Sequence, residues 1–398
     1  MEHATPSPGS TAAVPPRFPA RYVRRAEARR RHGALADVLG EHMLRGDPLA
    51  DALVEWLAAA GPEGRELVRR ALEGPLDAPA PAPLQALLED ALARPPWLDD
   101  ARLALGARTY QRIGKPLLFI LSAWSLMNGY HSGAAVKPLT FTGQLDRMAP
   151  RRLAETGRFL VEVCQDGGVA PYAEGWRIAL RVRLMHAGVR RMILRSGEWD
   201  SARWGLPINQ ADMAGTIIEF SLLVLAGARE LGFRFRPAES EALVHLWRWV
   251  GHLSGVAAPL LDELANEARG VAFAELVKLV QPGPDQDSLD LAAALRVVPR
   301  EAARTRREKL LAAAVVPYHD GLTWAFNGDA IARALRIPNR AWRHAIHPTR
   351  LLVGGLETVR QTLPGGDALF ARAGNRALHA DITRMLEGAE PDFVPRRV

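Results

Sequence analysis

The sequence contains a single cysteine, Cys164. An internal disulfide, a Cys-rich zinc site, an iron–sulfur cluster and covalent haem attachment through C-x-x-C-H all need two or more cysteines. These four kinds of site are therefore excluded. The common catalytic motifs are missing too, because no P-loop, G-x-G-x-x-G, G-x-S-x-G or H-E-x-x-H occurs. The chemistry, if there is any, must come from a less common arrangement.

Long apolar runs are also absent. The longest, PLLFILSAWSLM (116–127), is too short to cross a bilayer and is bounded by Lys115 and Asn128. The basic stretch RYVRRAEARRRHG (21–33) is not followed by the apolar segment that a secretion signal requires. We expect a cytoplasmic protein with no transmembrane segment.

The charge is one-sided and carried almost wholly by arginine, with a formal net charge of +7. Such an excess can indicate nucleic acid, an anionic membrane surface or an acidic ligand as a partner. The arginines are spread along the whole chain, which is typical of a GC-rich genome. We therefore expect no specific nucleic-acid partner.

Runs of Ala, Leu and Arg predict an all-α fold, since no segment alternates with the two-residue period of a strand. Four regions follow from the breaks in the helical pattern. They are a disordered tail (1–20), an N-terminal helical region (21–97), a core (98–281) and a C-terminal helical region packed on that core (282–398).

One helix start is marked clearly in the stretch LPINQADMAGTIIEFSLLVLAGARELG. Asn209 is a good N-cap residue, and Asp212 follows three positions later, as in a capping box. Apolar residues then continue at helical spacing, and Gly232 is a typical stop. The pattern predicts one helix from 210 to 231.

His186 lies in another helical stretch, RVRLMHAGVRRMIL (181–194). Residues at three- and four-residue spacing from it are apolar, so the histidine falls on the buried stripe of the helix. Two interpretations stay open. His186 is either a core histidine hydrogen-bonded to a neighbour or a ligand for a cofactor.

Arginine is concentrated around this histidine. Arg183 and Arg190 share its helix face, and residues 175–197 contain six arginines and no acid. Buried guanidinium groups need anions from elsewhere. Haem propionates would supply them, with the imidazole on the iron, and acidic side chains from another helix would serve equally.

Three segments together resemble a known family. RRLAET (151–156), RVRLMHAGVR (181–190) and GLPINQADMAGTIIEFS (205–221) are similar to signature blocks of the latex clearing protein family. These rubber oxygenases share a catalytic domain with the fungal haem oxygenase of the mycophenolic acid pathway. The resemblance covers residues 100–270 and includes the order and spacing of the blocks.

The resemblance implies a globin-like helical core that binds haem b without a covalent link. Its proximal iron ligand would be His186. The distal pattern R-x-x-K-T of the family matches Arg152, Glu155 and Thr156, and Arg183 matches a further family arginine. Residues 98–281 would then be the haem-binding catalytic core.

Glu155 departs from the family, in which this position is a lysine. A glutamate reverses the charge and would serve as a proton relay, as a base or as the partner of Arg152. The alternative is a surface carboxylate paired with Arg151, Arg152 or Arg158. Together with the missing secretion signal, the glutamate argues against polyisoprene as the substrate.

The sequence therefore predicts a haem-b-dependent oxygenase that uses O2 to oxidise an apolar, isoprenoid-like substrate, by cleavage of a C=C bond as in the family. The catalytic candidates are Arg152, Glu155 and Thr156, and the cofactor-binding candidates are His186, Arg183 and Arg190. Two alternatives are a non-catalytic haem- or gas-binding regulatory protein and a haem-free helical scaffold.

Overall fold

The computed structural model describes residues 18–141, 145–301, 303–338 and 340–386, and within 145–152 it describes the backbone alone. Every regular element in these residues is a helix, so the all-α prediction is confirmed. Of the segment predicted as a disordered tail (1–20), residues 18–20 are described, and the N–H of Ala20 donates to the carbonyl of Ala202 (2.9 Å). Residues 1–17 lie outside the described residues.

Four helices form the N-terminal region. They are α1 (Arg25–His32), α2 (Ala34–His42), α3 (Pro48–Glu73) and α4 (Ala82–Leu92). α3 begins at a well-formed cap, because the Asp47 carboxylate accepts the N–H of Ala50 (3.3 Å) and Pro48 occupies the first helical position. α3 kinks at Gly61, whose φ of 62° lies in the left-handed region.

The central region is a run of short and long helices. They are α5 (Asp100–Ile113), α6 (Pro116–Ile120), α7 (Met127–Tyr130), α8 (Gly133–Thr140), α9 (Leu145–Val163), α10 (Glu174–Ser196), α11 (Ser201–Trp204), α12 (Gln210–Phe220), α13 (Leu222–Glu230) and α14 (Pro237–Leu253). A π-helical segment, Leu121–Leu126, joins α6 to α7 inside the longest apolar run. π-helical segments are rare in proteins, and those that occur often lie at functional sites.

The helix predicted from 210 to 231 is broken into α12 and α13. The break lies at Ser221, whose hydroxyl donates to the carbonyl of Ile217 (2.6 Å). Both predicted ends are confirmed: the Asn209 side chain accepts the N–H of Asp212 (3.0 Å), and Gly232 ends the segment with a φ of 104°. The stretch Gln210–Glu230 is apolar enough for a membrane span, but it is 67% buried in the fold, as a core helix is.

Six helices complete the chain. They are α15 (Ala258–Leu261), α16 (Glu267–Leu279), α17 (Gln286–Glu301), α18 (Arg306–Ala334), α19 (Ile346–Thr362) and α20 (Gly366–Met385), with 3₁₀ turns at Asp262–Leu264 and Arg340–Ala345. α20 returns to the central region, where Ile382 fills the space that a side chain at Gly157 of α9 would occupy.

The described residues form two hydrophobic clusters, and the larger one extends from Tyr22 to Ile382 and includes α14. Trp247 of α14 is fully buried. α5 crosses α14 at Gly106, where a Cβ atom would lie 2.3 Å from the backbone oxygen of Ala242. The two helices can approach this closely only because position 106 has no side chain.

The Gly106→Ala variant should be destabilised by about 1–3 kcal/mol, because its methyl group must push two core helices apart. Gly354→Ala is the matched control. Gly354 is also helical, but a Cβ there has no neighbour within 4 Å, so alanine should leave stability unchanged or raise it by up to about 1 kcal/mol. Urea unfolding of both variants checks this, and equal midpoints would contradict the close contact.

Candidate functional site

The centre of the site is the apolar stripe of α10 that carries His186. Its outer members, Ala179 and Ile193, are fully buried, whereas Val182, His186 and Val189 between them are only partly covered. The predicted stripe is therefore present, and the described residues leave its middle section partly covered. A surface of this kind, apolar and with one imidazole at its centre, is accessible to a ligand.

All six arginines of α10 are held by carboxylates. Arg177 and Arg181 pair with Glu174, Arg183 pairs with Asp47 and Asp90, Arg190 pairs with Asp51, and Arg191 and Arg195 pair with Glu55. Asp47, Asp51 and Glu55 follow one another at four-residue spacing at the start of α3, so the three carboxylates face α10 in a row. Four of the six arginines therefore have acidic partners on other helices, which is one of the two kinds of anion expected from the sequence.

Arg183 forms the most buried of these contacts. Its Nε and Nη2 donate to the two oxygens of Asp47 (2.6 and 3.1 Å), and its Nη1 donates to Asp90 (2.7 Å). The side chains of Arg183 and Asp47 are each 4% exposed. Gly255 closes over the pair with a φ of 82°, and a Cβ there would lie 2.1 Å from an Asp47 oxygen. The arrangement therefore requires glycine at this position.

Arg190 connects α10 to the loop before α12. Its Nε and Nη2 donate to the carbonyls of Pro207 (3.2 Å) and Ile208 (2.8 Å), and its Nη1 bonds to Asp51. Ile208 has a φ of 50°, which is strained for a β-branched residue. The guanidinium group holds the loop in this conformation.

The geometry gives Arg183 and Arg190 a structural role. They fix α10, and with it His186, against α3, α4 and the loop before α12. Their donors are engaged with aspartates and carbonyls. Their assignment to cofactor binding stays a prediction.

α9 packs against α10 and carries the other predicted catalytic residues. Glu155 and Thr156 are partly buried, whereas the side chain of Arg152 lies outside the described residues. Arg158, considered above as a partner for Glu155, forms an ion pair with Glu162 one turn further along α9 (3.0 Å). The catalytic roles of Arg152, Glu155 and Thr156 stay predictions.

Glu219 of α12 is a perturbed carboxyl group that sequence reasoning missed. Burial, with a smaller contribution from the Asp212 carboxylate, raises the pKa of Glu219 to about 8. The carboxyl lies against Gly129 of α7, where a Cβ would be 2.5 Å from Oε1. Perturbed carboxyl groups cluster at functional sites. The available signal was one acid within the apolar stretch TIIEFSLLVLAG.

His319 of α18 is a buried histidine that the sequence did not single out. It is 5% exposed, and neither ring nitrogen has a partner with good hydrogen-bond geometry among the described residues. Burial lowers the pKa of His319 to about 4, so its ring is neutral at physiological pH. Within the described residues, no three His, Cys, Asp or Glu side chains cluster closely enough to hold a metal ion.

Replacing Arg183 by Met should cost about 3–5 kcal/mol of unfolding free energy, because it leaves Asp47 buried without its cation. The control is Arg191→Met, since Arg191 pairs with the exposed Glu55 and such pairs contribute at most about 1 kcal/mol. Chemical denaturation measures both. Similar losses in the two variants would show that the buried pair does not stabilise α10.

The Glu219→Gln variant should lose the part of the pH dependence of stability that this carboxyl causes. A glutamate ionises near 4.5 in the unfolded chain and near 8 here. Between pH 4.5 and pH 8 the carboxyl is protonated in the folded protein and ionised in the unfolded chain, so unfolding releases a proton. The contribution of Glu219 to the free energy of unfolding is therefore fully present below pH 4.5 and is lost as the pH rises towards 8. The loss is at most about 1.4 kcal/mol per pH unit. The amide of the variant cannot titrate. Urea unfolding across this pH range measures the free energy of unfolding of Glu219→Gln and of a control, Glu89→Gln, in which the replaced glutamate is exposed. Only Glu219→Gln should show a weaker dependence on pH than the wild type. The same pH dependence in all three proteins would refute the prediction.

Comparison with known proteins identifies the family of the chain. Residues 110–358 match the family model described as the catalytic domain of the ER-bound oxygenase mpaB/B′ and rubber oxygenase. The rubber oxygenase of Streptomyces sp. (strain K30) is 24% identical over 213 residues, which are 52% of this chain and 52% of that protein. The chain thus spans about half the length of this curated relative.

A solved structure of latex clearing protein in the closed state has the same fold. It superposes with a TM-score of 0.61 at 20% sequence identity, over 85% of this chain and 90% of the other. The family match includes α10 with His186, the whole of α9 and the whole of α12, and it covers more than half of the chain. The chain belongs to the mpaB/B′ and rubber oxygenase catalytic-domain family.

Proposed function

We propose that the protein is a haem-b-dependent oxygenase that uses O2 to oxidise an apolar, unsaturated substrate. The observation that carries the proposal is the position of His186, at the partly covered centre of a buried apolar stripe, in a chain of an oxygenase family. Oxidative cleavage of a C=C bond in an isoprenoid-like substrate is the reaction proposed.

The residues of α10 fit a haem. A haem iron takes a single imidazole from the protein and needs no cluster of ligands. Val182 and Val189, one turn on either side of His186, offer apolar contact to a macrocycle. When bound, haem would supply the activation of O2 that no amino-acid side chain provides.

The protein's contribution is to hold the cofactor, to orient the His186 imidazole and to shield it from water. The Arg183–Asp47 pair fixes the rotation of α10 about its axis, and so fixes the direction of the imidazole. Once its middle section is covered by a bound cofactor, the apolar stripe would exclude water around the imidazole. On α9, the carboxyl of Glu155 would hold or transfer a proton, and the hydroxyl of Thr156 would donate a hydrogen bond.

The substrate class follows from the same surface. The stripe has no charged residue at its centre, so it favours an apolar molecule. The relative from Streptomyces is named a rubber oxygenase, yet Glu155 reverses the charge that its family has at this position. A smaller isoprenoid than polyisoprene is therefore proposed.

Haem reconstitution of the wild-type protein and of His186→Ala tests the proposal. The wild type should show a Soret band and a b-type pyridine haemochrome, and His186→Ala should lose or shift them because the axial ligand is gone. His319→Gln is the control, since it removes an imidazole that is more buried than His186, and its spectrum should equal that of the wild type.

Each of the other outcomes would change either the haem ligand or the function assigned to the protein. Loss of the spectrum in His319→Gln but not in His186→Ala would move the ligand to α18. A haem protein that does not consume O2 with any apolar alkene in the presence of a reductant would be the gas-binding alternative. A folded wild type that takes up no haem would be a helical scaffold.

A further inference from the structure

A cavity of about 210 Å³ lies between α17 and the turn that follows α18. The residues that α17 contributes share one face of the helix, because they recur at three- and four-residue spacing. They include Leu289, Ala293 and Arg296, and the other wall contains Leu335 and Arg336. No described residue of α9 or α10 lines the cavity, so it is separate from the site described above.

Arg296 is held in a fixed direction by a buried acid. Its Nη2 donates to one oxygen of Asp320 (2.8 Å), and its Nε donates to the other oxygen. The Asp320 side chain is fully buried, whereas that of Arg296 is 17% exposed. These two bonds use one edge of the planar guanidinium group, and Nη1 has no hydrogen-bond partner among the described residues. Arg296 therefore has free donor capacity at the cavity.

Arg336 occupies a backbone position that favours glycine. Its φ is 54°, its N–H donates to the carbonyl of Arg333 (3.0 Å), and the N–H of Ile337 donates to that of Ala332 (2.9 Å). This is the Schellman pattern, in which the residue with positive φ is usually glycine. Strained residues of this kind cluster at ligand-binding sites. The Arg336 side chain is exposed and pairs with no described acid.

The rest of the lining is mostly apolar and comes from the two leucines and the alanine named above. The acid among the lining residues is Asp290, whose carboxylate accepts a hydrogen bond from the side-chain amide of Gln286 (2.7 Å). Asp290 lies about 9 Å from Arg296 along the axis of α17. The cavity thus combines an aliphatic wall with two guanidinium groups, and no described acid pairs with that of Arg336.

We propose that this cavity binds a small apolar monocarboxylate. The two oxygens of a carboxylate match the paired donors of a guanidinium group, and bonds between such charged partners are strong. Arg296 offers donors whose direction is already fixed, and Arg336 offers a charge that needs an anion. The aliphatic wall would cover the apolar part of the ligand.

The size of the cavity limits the ligand. A cavity of about 150 Å³ in another protein binds benzene, so a volume of about 210 Å³ has room for a benzene ring that carries a carboxylate. Inorganic phosphate fits less well, because it has no apolar part to cover the aliphatic wall. The proposed site does not rest on the proposed oxygenase function, since it shares no residue with the stripe around His186.

Saturation-transfer NMR of the full-length protein with sodium benzoate tests the proposal. Wild type should bind benzoate, and added salt should weaken the binding. Benzamide has the same size but no charge, so it should bind about tenfold more weakly. Ala293→Phe should abolish the binding, because Ala293 is an exposed residue of the cavity wall and the larger ring would fill the space.

The Arg336→Gly variant separates binding from stability. Its affinity for benzoate should fall about tenfold, because one cation is lost. Its midpoint of urea unfolding should rise, because glycine adopts a φ of 54° without strain. The matched control is Arg24→Gly, since Arg24 is also an exposed arginine with a positive φ, 53°, and lies outside the cavity. It should bind benzoate as the wild type does.

Four results would overturn the proposal. They are a wild type that shows no saturation transfer to benzoate, equal affinities for benzoate and benzamide, an equal loss of affinity in Arg24→Gly and Arg336→Gly, and tighter binding of inorganic phosphate than of benzoate. Loss of benzoate binding in His186→Ala would also overturn it, by placing benzoate at the stripe of α10. The assay measures no turnover, so failure here would leave the oxygenase proposal standing.

Discussion

The buried ion pair between Asp47 and Arg183 is the constraint on which the site depends. Removing two charges from water is costly, and the cost is offset only when every donor and acceptor has a partner. Here Asp47 also caps α3, Arg183 also bonds to Asp90 of α4, and Gly255 leaves room for both. One pair therefore fixes two N-terminal helices, α10 and the turn after α14, and sets the direction of the imidazole three residues away.

The same use of arginine recurs at the other end of the chain. Glu357 and Arg360 of α19 pair with each other and bond to the backbone of Arg234, so charged groups help to attach this helix, as Arg183 and Asp47 attach α10. The two helices differ in where the apolar residues on the other side of the helix point. α10 turns a partly covered apolar stripe towards the interior, whereas α19 turns one towards solvent. Attachment through charged groups thus accompanies a partly covered apolar stripe on α10 and exposed apolar residues on α19.

Features that depend on local sequence were predictable. Helix spacing predicts the stripe around His186, and Asn209 and Gly232 mark two helix ends because capping is decided within a few residues. Distant partners were not predictable. Asp47 and Arg183 are 136 residues apart, so the pattern could state that the arginine needs an anion but not which one. The break at Ser221, the raised pKa of Glu219 and the burial of His319 likewise arise from tertiary packing.

The proposed function carries one physical requirement. An apolar, unsaturated substrate is scarce in water and accumulates in membranes, since burial of each CH₂ group favours the lipid phase by about 0.8 kcal/mol. An enzyme for such a substrate gains more from meeting it at a bilayer than from binding it tightly in solution. The apolar stripe at His186 would offer such a molecule an apolar surface within the protein.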